Sequence, residues 1–231
     1  DPADPAVVAC EEGLRHRGLQ LSAIATGQSF YSDGWSPTSD DPEVRALLDE
    51  RMYRIIDLAA PWDAMVVIGG VRGTLSGSDR HQAGQYEQAL DAVGRYADYG
   101  IANGVALVVE PINRYETNYI NTIGDAMRFI GEVGRSNLGI LADTFHMNIE
   151  EKSLGNAIRA VGPRLHHVHA CENDRGAPGT GNIPWDEVAR GLNEIGYDGP
   201  VVIESFTAKV KSIARAAAIW RPLADSSDAL A

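Results

Sequence analysis

Residues 106–110 read ALVVE, a short apolar run that ends in a carboxylate, and this arrangement recurs three times further along the chain. The later runs are LGILAD (138–143), LHHVH (165–169) and VVIE (201–204). Their polar ends are Glu110, Asp143, His169 and Glu204, at intervals of 33, 26 and 35 residues. Helix-like sequence separates each run from the next. A repeated strand-helix unit with polar residues at the strand ends is typical of an α/β (β/α)8 barrel, in which the active site lies at the C-terminal ends of the strands.

Six strands and the helices between them can be predicted along the chain. Asp4-Pro5 and Asp41-Pro42 each supply an N-cap followed by a first-turn proline. Apolar residues at helical spacing predict the faces of the later helices. These faces are Val44, Leu48, Met52, Ile55 and Ala59; Tyr86, Leu90, Val93, Ala97 and Ile101; Ala126, Ile130 and Val133; Val188, Leu192 and Ile195; and Val210, Ile213, Ala214 and Ala217. The predicted strands are 19–26, 65–68, 106–109, 138–142, 165–168 and 201–203.

The strand count is lower than a closed barrel requires. Such a barrel has eight strands and typically about 250 residues. We therefore expect residues 1–231 to form a single TIM-barrel domain that is N-terminally incomplete, with the first strand-helix-strand absent before Asp1. The alternative is a barrel that is open on one side, whose exposed strand edges a partner chain would have to cover.

Composition narrows the class of protein. The chain has 231 residues, of which 44% are hydrophobic, enough for one substantial core. A net charge of −12 disfavours a phosphate-binding surface, so we expect a small-molecule substrate and neither nucleic acid nor membrane as a partner. Two cysteines are too few for a disulfide framework, and neither a signal peptide nor a membrane span is recognisable. The predicted location is cytoplasmic.

The four residues at the strand ends have the chemistry of a metal site. Three carboxylates and one imidazole form an oxygen-rich set that suits Mn²⁺, Mg²⁺ or Co²⁺ better than a structural zinc. Such ions take six ligands, so positions remain for substrate oxygens. Any one of these residues alone could be a helix cap, an ion-pair partner or a core histidine, but four together favour a metal.

A second set of polar residues follows the candidate ligands in the adjoining loops. Glu116, His146 and Arg175 lie six, three and six residues beyond Glu110, Asp143 and His169. They could bind substrate, because Arg175 offers a planar fork of donors to oxygens. Glu116 and Arg175 could equally form a solvated ion pair, and His146 could cap a turn.

Four stretches of the chain resemble a known family. VVEPINRYETNYINT (108–122), LGILADTFHMNIEE (138–151), HVHACENDRGAPGTG (167–181) and VVIESF (201–206) are similar to the ketose 3-epimerases of the sugar phosphate isomerase/epimerase superfamily, a group of xylose-isomerase-like TIM barrels that includes D-tagatose and D-psicose (allulose) 3-epimerases. The resemblance implies a divalent ion, with Mn²⁺ first and Co²⁺ or Mg²⁺ as alternatives. It assigns its ligands to Glu110, Asp143, His169 and Glu204, and substrate contacts to Glu116, His146 and Arg175. It also implies a homodimer or homotetramer.

These residues predict a mechanism for a keto sugar. Ion binding through the carbonyl oxygen and the neighbouring hydroxyl acidifies the adjacent C–H and stabilises the enediolate formed on proton loss. One of Glu110 and Glu204 would then remove the C3 proton, and the other would return a proton on the opposite face. Asp143 and His169 would be ligands only. The expected enzyme is a metal-dependent isomerase that inverts C3 of keto sugars.

Several other functions are compatible with the same candidate residues. Arg72, in the GGVRG stretch after a predicted strand, could bind the acidic end of a keto-sugar acid such as 5-keto-L-gluconate, or it could be a surface arginine. An aldose-ketose isomerase such as hydroxypyruvate isomerase would use the same ion. A DNA-repair endonuclease of the related barrel group is disfavoured by the six histidines and the negative charge. A sugar-binding barrel without catalysis is the remaining alternative.

Overall fold

The structure, a computed structural model, describes residues 4–206 and residue 219. The strands are β1 Ala23–Ala25, β2 Met65–Ile68, β3 Leu107–Val109, β4 Leu138–Asp143, β5 Leu165–Ala170 and β6 Val201–Ile203. The helices are α1 Pro5–His16, α2 Gln28–Tyr31, α3 Pro42–Ala59, α4 Asp79–Asn103, α5 Ile123–Val133, α6 Thr144–Glu150, α7 Leu154–Val161 and α8 Trp185–Glu194. The predicted helix over Val210 to Ala217 lies outside the described residues.

The six strands of the described chain follow the sequence prediction closely. They form a parallel sheet in the order β1-β2-β3-β4-β5-β6, as a strand-helix repeat requires. β2 and β6 have the predicted bounds, β1 is shorter, and β4 and β5 extend to include Asp143 and His169. None of the described helices combines the length and the hydropathy needed to cross a bilayer.

The described residues fall into two compact units. One comprises residues 4–110, 117–119 and 128–139, and the other comprises residues 111–116, 120–127 and 140–206. In the first unit β1 pairs with β2 and β2 with β3, with Ile68 opposite Val109. The helix starts are also as predicted in this unit, because the side chains of Asp4 and Asp41 accept hydrogen bonds from Ala6 N and Glu43 N, both at 2.8 Å.

The apolar faces of two helices in the first unit differ from the prediction. In α3 Ile56 is fully buried where Ile55 was expected. In α4 the predicted Val93 and Ala97 are buried, and so is Tyr96, whereas the predicted Ile101 is 50% exposed. A Cβ on Gly100 would lie 2.8 Å from Leu107 Cδ1, so at this turn of the helix Gly100 packs against β3 and the adjacent Ile101 does not.

In the second unit, the register of the strand pairs brings the C-terminal ends of β4, β5 and β6 together. β4 pairs with β5 so that Asp143 lies opposite His169, and β5 pairs with β6 so that Ala170 lies opposite Ile203. The register between β4 and β5 shifts between Ile140 and Leu141, an irregularity of the kind that re-aims side chains near functional sites. Because the strands are parallel, their C-terminal residues meet at one edge.

Candidate active site

Three of the four predicted ligands lie at the C-terminal ends of neighbouring strands in the second unit. Asp143 ends β4, His169 is the penultimate residue of β5, and Glu204 follows β6 directly. His169 Nδ1 lies 4.0 Å from Asp143 Oδ2 and 3.4 Å from Glu204 Oε1. Asp143 is buried and Glu204 is half-buried. The arrangement places one imidazole nitrogen against two carboxylates.

The fourth predicted ligand, Glu110, is positioned by two hydrogen bonds of its backbone, and its carboxylate packs against Gly69. Its N–H donates to Ile68 O at 3.1 Å, which continues the β2–β3 pairing, and its carbonyl accepts from Arg72 Nη1 at 2.7 Å. Its carboxylate lies over Gly69, where a Cβ would come 2.3 Å from Oε2. The buried carboxylate therefore occupies space that only glycine leaves open.

The three predicted ligands of the second unit have spacings that suit a divalent ion, 4.0 Å and 3.4 Å from His169 Nδ1 to the carboxylates of Asp143 and Glu204. In octahedral coordination at about 2.1 Å, neighbouring ligands lie roughly 3 Å apart and opposite ligands roughly 4.2 Å apart. Two carboxylates and one imidazole form an oxygen-rich set of the kind that Mn²⁺ or Mg²⁺ prefers. The cluster is consistent with a metal site.

Arg175 is buried among these ligands. Its Nη1 donates to Asp143 Oδ2 at 2.8 Å and to Glu204 Oε2 at 2.6 Å. The guanidinium carbon lies 3.9 Å from the centre of the Phe145 ring, which allows a cation-π contact. Its backbone has φ of 67°, a left-handed conformation that non-glycine residues seldom adopt outside turns and functional sites. The predicted substrate-binding arginine thus pairs with two predicted ligands instead of with Glu116.

The charge of Arg175 keeps the site ionised. Burial by itself raises the pKa of Asp143, but the charge of Arg175, together with His146, His169 and a hydrogen bond with Glu204, outweighs burial and holds that pKa well below its usual range. Asp143 is therefore a carboxylate at neutral pH. Because a lowered pKa stabilises the fold above the pKa of the unfolded chain, this contribution is present at neutral pH and is lost as the pH falls through the lowered value.

His146 and Glu116 lie together in the second unit and share one neighbour, Asn113. His146 lies three residues after Asp143, in the first turn of α6. Its Nε2 lies 3.1 Å from Arg175 Nη2. Glu116 Oε1 accepts a hydrogen bond from Asn113 Nδ2 at 2.9 Å and lies 4.0 Å from His146 Nδ1. His146 and Arg175 are therefore in contact. Their contacts with a substrate remain a prediction.

The backbone of Glu204 is fixed at two points. Its N–H donates to Ala170 O at 3.1 Å, and its carbonyl accepts from Cys171 Sγ at 2.7 Å. Cys171 is buried, and burial raises the pKa of its thiol to about 12. The thiol therefore remains protonated and acts as a structural donor.

Arg72 is also buried, and it binds backbone oxygens of the first unit. Its Nη1 donates to Gly69 O at 3.0 Å as well as to Glu110 O, and its Nη2 donates to Tyr119 O at 3.3 Å. In return, Tyr119 Oη donates to Arg72 O at 2.6 Å. The prediction that Arg72 binds an acidic substrate remains untested, and these bonds give it a structural role in positioning the end of β3.

This role predicts a stability defect. Arg72→Met should lower the free energy of unfolding by about 3 kcal/mol, because three carbonyls lose a charged, buried donor. Urea unfolding measures the change. Arg135→Met is the matched control, since Arg135 pairs with Asp98 on the surface and its loss should change little. Equal stability of the two variants would contradict the structural role of Arg72.

Sequence reasoning missed several residues that shape the site. Asn113 lies three residues beyond Glu110 in the quoted EPINRYE stretch, where an amide so close to a ligand was a usable signal. Glu172 is fully buried and accepts hydrogen bonds from Gly179 N at 2.7 Å and Trp185 Nε1 at 2.6 Å, which organises the glycine-rich loop after β5. No local sequence pattern distinguishes such a carboxylate from a surface one.

Comparisons with known proteins agree with the fold and with this cluster. The model of the xylose isomerase-like TIM barrel family matches residues 1–226. The D-psicose 3-epimerase of Agrobacterium fabrum is 35% identical, with 83% of this chain and 67% of that protein covered. The ketose 3-epimerase of Arthrobacter globiformis is 36% identical over 96% of this chain and 77% of that protein.

Solved structures give the same result. The D-allulose 3-epimerase from Methylomonas sp. in complex with D-allulose superposes with a TM-score of 0.85 at 30% identity, covering all of this chain and 80% of that one. The relatives named here are isomerases that act on sugars. The chain therefore belongs to the xylose isomerase-like TIM barrel family, among its ketose 3-epimerases.

Proposed function

We propose that the protein is a divalent-metal-dependent epimerase that inverts C3 of a keto sugar. The observation that carries the proposal is the convergence of Asp143, His169 and Glu204 at the strand ends of the second unit, with His169 Nδ1 4.0 Å and 3.4 Å from the two carboxylates. A divalent ion held by these three residues and by Glu110 would polarise the carbonyl and the neighbouring hydroxyl of the sugar, which acidifies the C–H at C3. The proton transfers are then carried out by side chains of the protein.

Glu110 and Glu204 act as the acid-base pair. A carboxylate removes the proton from C3 on one face of the sugar, and a protonated carboxyl group returns a proton on the other face. Gly69 leaves room for the first carboxylate, and hydrogen bonds to the Ala170 carbonyl and from the Cys171 thiol fix the backbone of the second. Which glutamate acts first depends on the epimer that is bound.

His146 and Arg175 hold the oxygen that gains negative charge. Both are buried, and both present nitrogens to the same region, with Nε2 and Nη2 only 3.1 Å apart. Donors fixed in a buried site before reaction stabilise developing charge without the reorganisation that water requires. Phe145, against the guanidinium, excludes water from one side of it.

A neutral ketose is the substrate that these contacts favour. One relative, the D-allulose 3-epimerase from Methylomonas sp., was solved in complex with D-allulose, an uncharged ketohexose. Arg72, which suggested an acidic substrate, donates three hydrogen bonds to backbone carbonyls of its own unit. These bonds direct its guanidinium to the protein backbone and not to a substrate carboxylate.

The test follows proton exchange in D₂O by NMR. The Mn²⁺-treated protein is incubated with D-allulose, with other ketohexoses and with keto-sugar acids, the metal is removed, and the sugars are analysed. We expect deuterium at C3 together with the C3 epimer, complete loss of both after chelation, and recovery when Mn²⁺ is restored. Label at C1 or an aldose product would instead identify an aldose-ketose isomerase. Absence of exchange from every sugar would overturn the proposal.

A further inference from the structure

We infer that Thr144 is a positioning residue of the metal site. Its buried hydroxyl joins the start of α6 to the end of β5 and thereby sets the spacing between two predicted ligands, Asp143 and His169. The inference rests on the proposed function, because the ion is the reason that this spacing matters. The contacts that carry it all lie within the second unit.

Thr144 follows one predicted ligand directly and contacts the chain just beyond another. Asp143 ends β4, and Thr144 is the first residue of α6. The pairing of β4 with β5 ends where Asp143 lies opposite His169, because the chain then turns into the helix. Cys171 comes after the end of β5 and is fully buried. The backbone N–H of such a residue requires a hydrogen-bond acceptor.

The hydroxyl of Thr144 is that acceptor, and it is a donor as well. Cys171 N donates to Thr144 Oγ1 at 2.8 Å, and Oγ1 lies 2.6 Å from Cys171 O and 3.3 Å from His169 O. A backbone N–H can only donate and a carbonyl oxygen can only accept, so the single hydroxyl proton is directed to the carbonyls, of which that of Cys171 is nearer. Only 1% of Thr144 is exposed, so water does not compete for these bonds.

The same junction orients the carboxylate of Asp143. Phe145 N donates to Asp143 Oδ1 at 2.8 Å, so this oxygen is bound to the first turn of α6. The other oxygen, Oδ2, lies 4.0 Å from His169 Nδ1. Thr144 stands between Asp143 and Phe145 in the chain, so a shift of Thr144 would also shift the N–H that holds Oδ1. The bonds between Thr144 and Cys171 therefore fix the two ligands relative to each other.

Replacing the hydroxyl with a methyl group would disturb this junction at almost constant size. Valine has the shape of threonine but neither donates nor accepts a hydrogen bond. In Thr144→Val, Cys171 N would be a buried donor without its acceptor, which is costly enough to move the end of β5. Cys171 Sγ also donates to Glu204 O at 2.7 Å, so the movement would reach a third ligand. Thr144→Ser keeps the hydroxyl and should keep the spacing.

Mn²⁺ binding by the folded protein tests the inference independently of turnover. Free Mn²⁺ is measured by its EPR signal in titrations of the wild type, Thr144→Val and Thr144→Ser, and circular dichroism verifies that each protein is folded. We expect the Mn²⁺ dissociation constant of Thr144→Val to rise about 10- to 100-fold, as is typical when a residue that orients a metal ligand is removed. Thr144→Ser should bind within a few-fold of the wild type.

Thr26→Val is the matched control. Thr26 is also buried, and its hydroxyl donates to Val67 O at 2.6 Å, a bond that involves none of the predicted ligands. Its loss should lower the midpoint of thermal unfolding and leave the Mn²⁺ affinity unchanged. The control separates the loss of a buried hydrogen bond in general from the loss of ligand positioning.

Three results would overturn the inference: wild-type Mn²⁺ affinity in Thr144→Val, an affinity of Thr144→Ser as weak as that of Thr144→Val, or a crystal structure of the Mn²⁺-loaded wild type in which Thr144 Oγ1 does not contact Cys171. The last result needs no variant, so a folding defect in Thr144→Val does not protect the inference.

The same measurements distinguish this inference from the proposed function. If Mn²⁺ binding depended on Thr144 as expected but the wild type exchanged no C3 proton, the proposed function would fail and the role of Thr144 would stand. If the wild type epimerised a sugar and Thr144→Val bound Mn²⁺ normally, the reverse would hold. A wild type that bound no Mn²⁺ would overturn both.

Discussion

Replacing either Glu110 or Glu204 with glutamine is expected to reduce epimerisation by about 10⁴-fold, at the upper end of what a positioned acid or base contributes. Glutamine keeps an oxygen that can coordinate an ion, and it keeps the size of the side chain. It cannot accept or return a proton at C3. The loss should therefore appear in kcat, measured with D-allulose, while the folded protein is retained.

The two variants should also differ from each other in a way that identifies the two faces of the sugar. Each variant retains one carboxylate, so each should still exchange the C3 proton of one epimer with solvent without forming the other. NMR in D₂O with each epimer separately measures this exchange. Glu110→Gln and Glu204→Gln should label opposite epimers.

Glu132→Gln provides the control for the same chemical change. Glu132 lies on the exposed side of α5, where it accepts a hydrogen bond from Tyr86 Oη at 2.8 Å. Wild-type turnover is expected. If Glu110→Gln and Glu204→Gln both labelled the same epimer, or if either retained full turnover, the assignment of two opposed proton carriers would be wrong.

Gly69→Ala is expected to reduce kcat/KM by about 100-fold with the fold retained. The added methyl group would lie 2.3 Å from Glu110 Oε2, far inside van der Waals contact. The obstructing atom is at the end of a side chain, so the carboxylate moves and the backbone stays. A displacement of about 1 Å of a catalytic group costs on the order of 10² in rate.

Steady-state kinetics and thermal unfolding together test this expectation. Gly84→Ala, in α4, is the matched control, because a Cβ there meets nothing within 4 Å. It should leave turnover unchanged and should not destabilise the helix. If Gly69→Ala turned over sugar within a few-fold of the wild-type rate, the observed position of the Glu110 carboxylate would not be required for catalysis.

The sequence by itself determined the strands and the identity of the candidate ligands. Apolar runs such as Val201 to Ile203 become strands because β-branched side chains favour an extended backbone, which is a local property. A polar residue at the end of each run then reaches the catalytic edge by the geometry of parallel strands, so Asp143, His169 and Glu204 could be grouped before any coordinates were known. The N-caps at Asp4 and Asp41 were likewise readable from adjacent residues.

Only the tertiary structure decided which side chains act on one another. Arg175 bonds Asp143, which lies 32 residues away, and Asn113 bonds His146 across 33 residues, and no periodicity connects such pairs. The exposure of Ile101 in α4 was also decided by packing, because the preceding residue, Gly100, is the one that closely approaches Leu107. Local sequence fixes where the chain is extended or helical. The partner of a buried polar group depends on which distant residue the fold brings within about 3 Å of it.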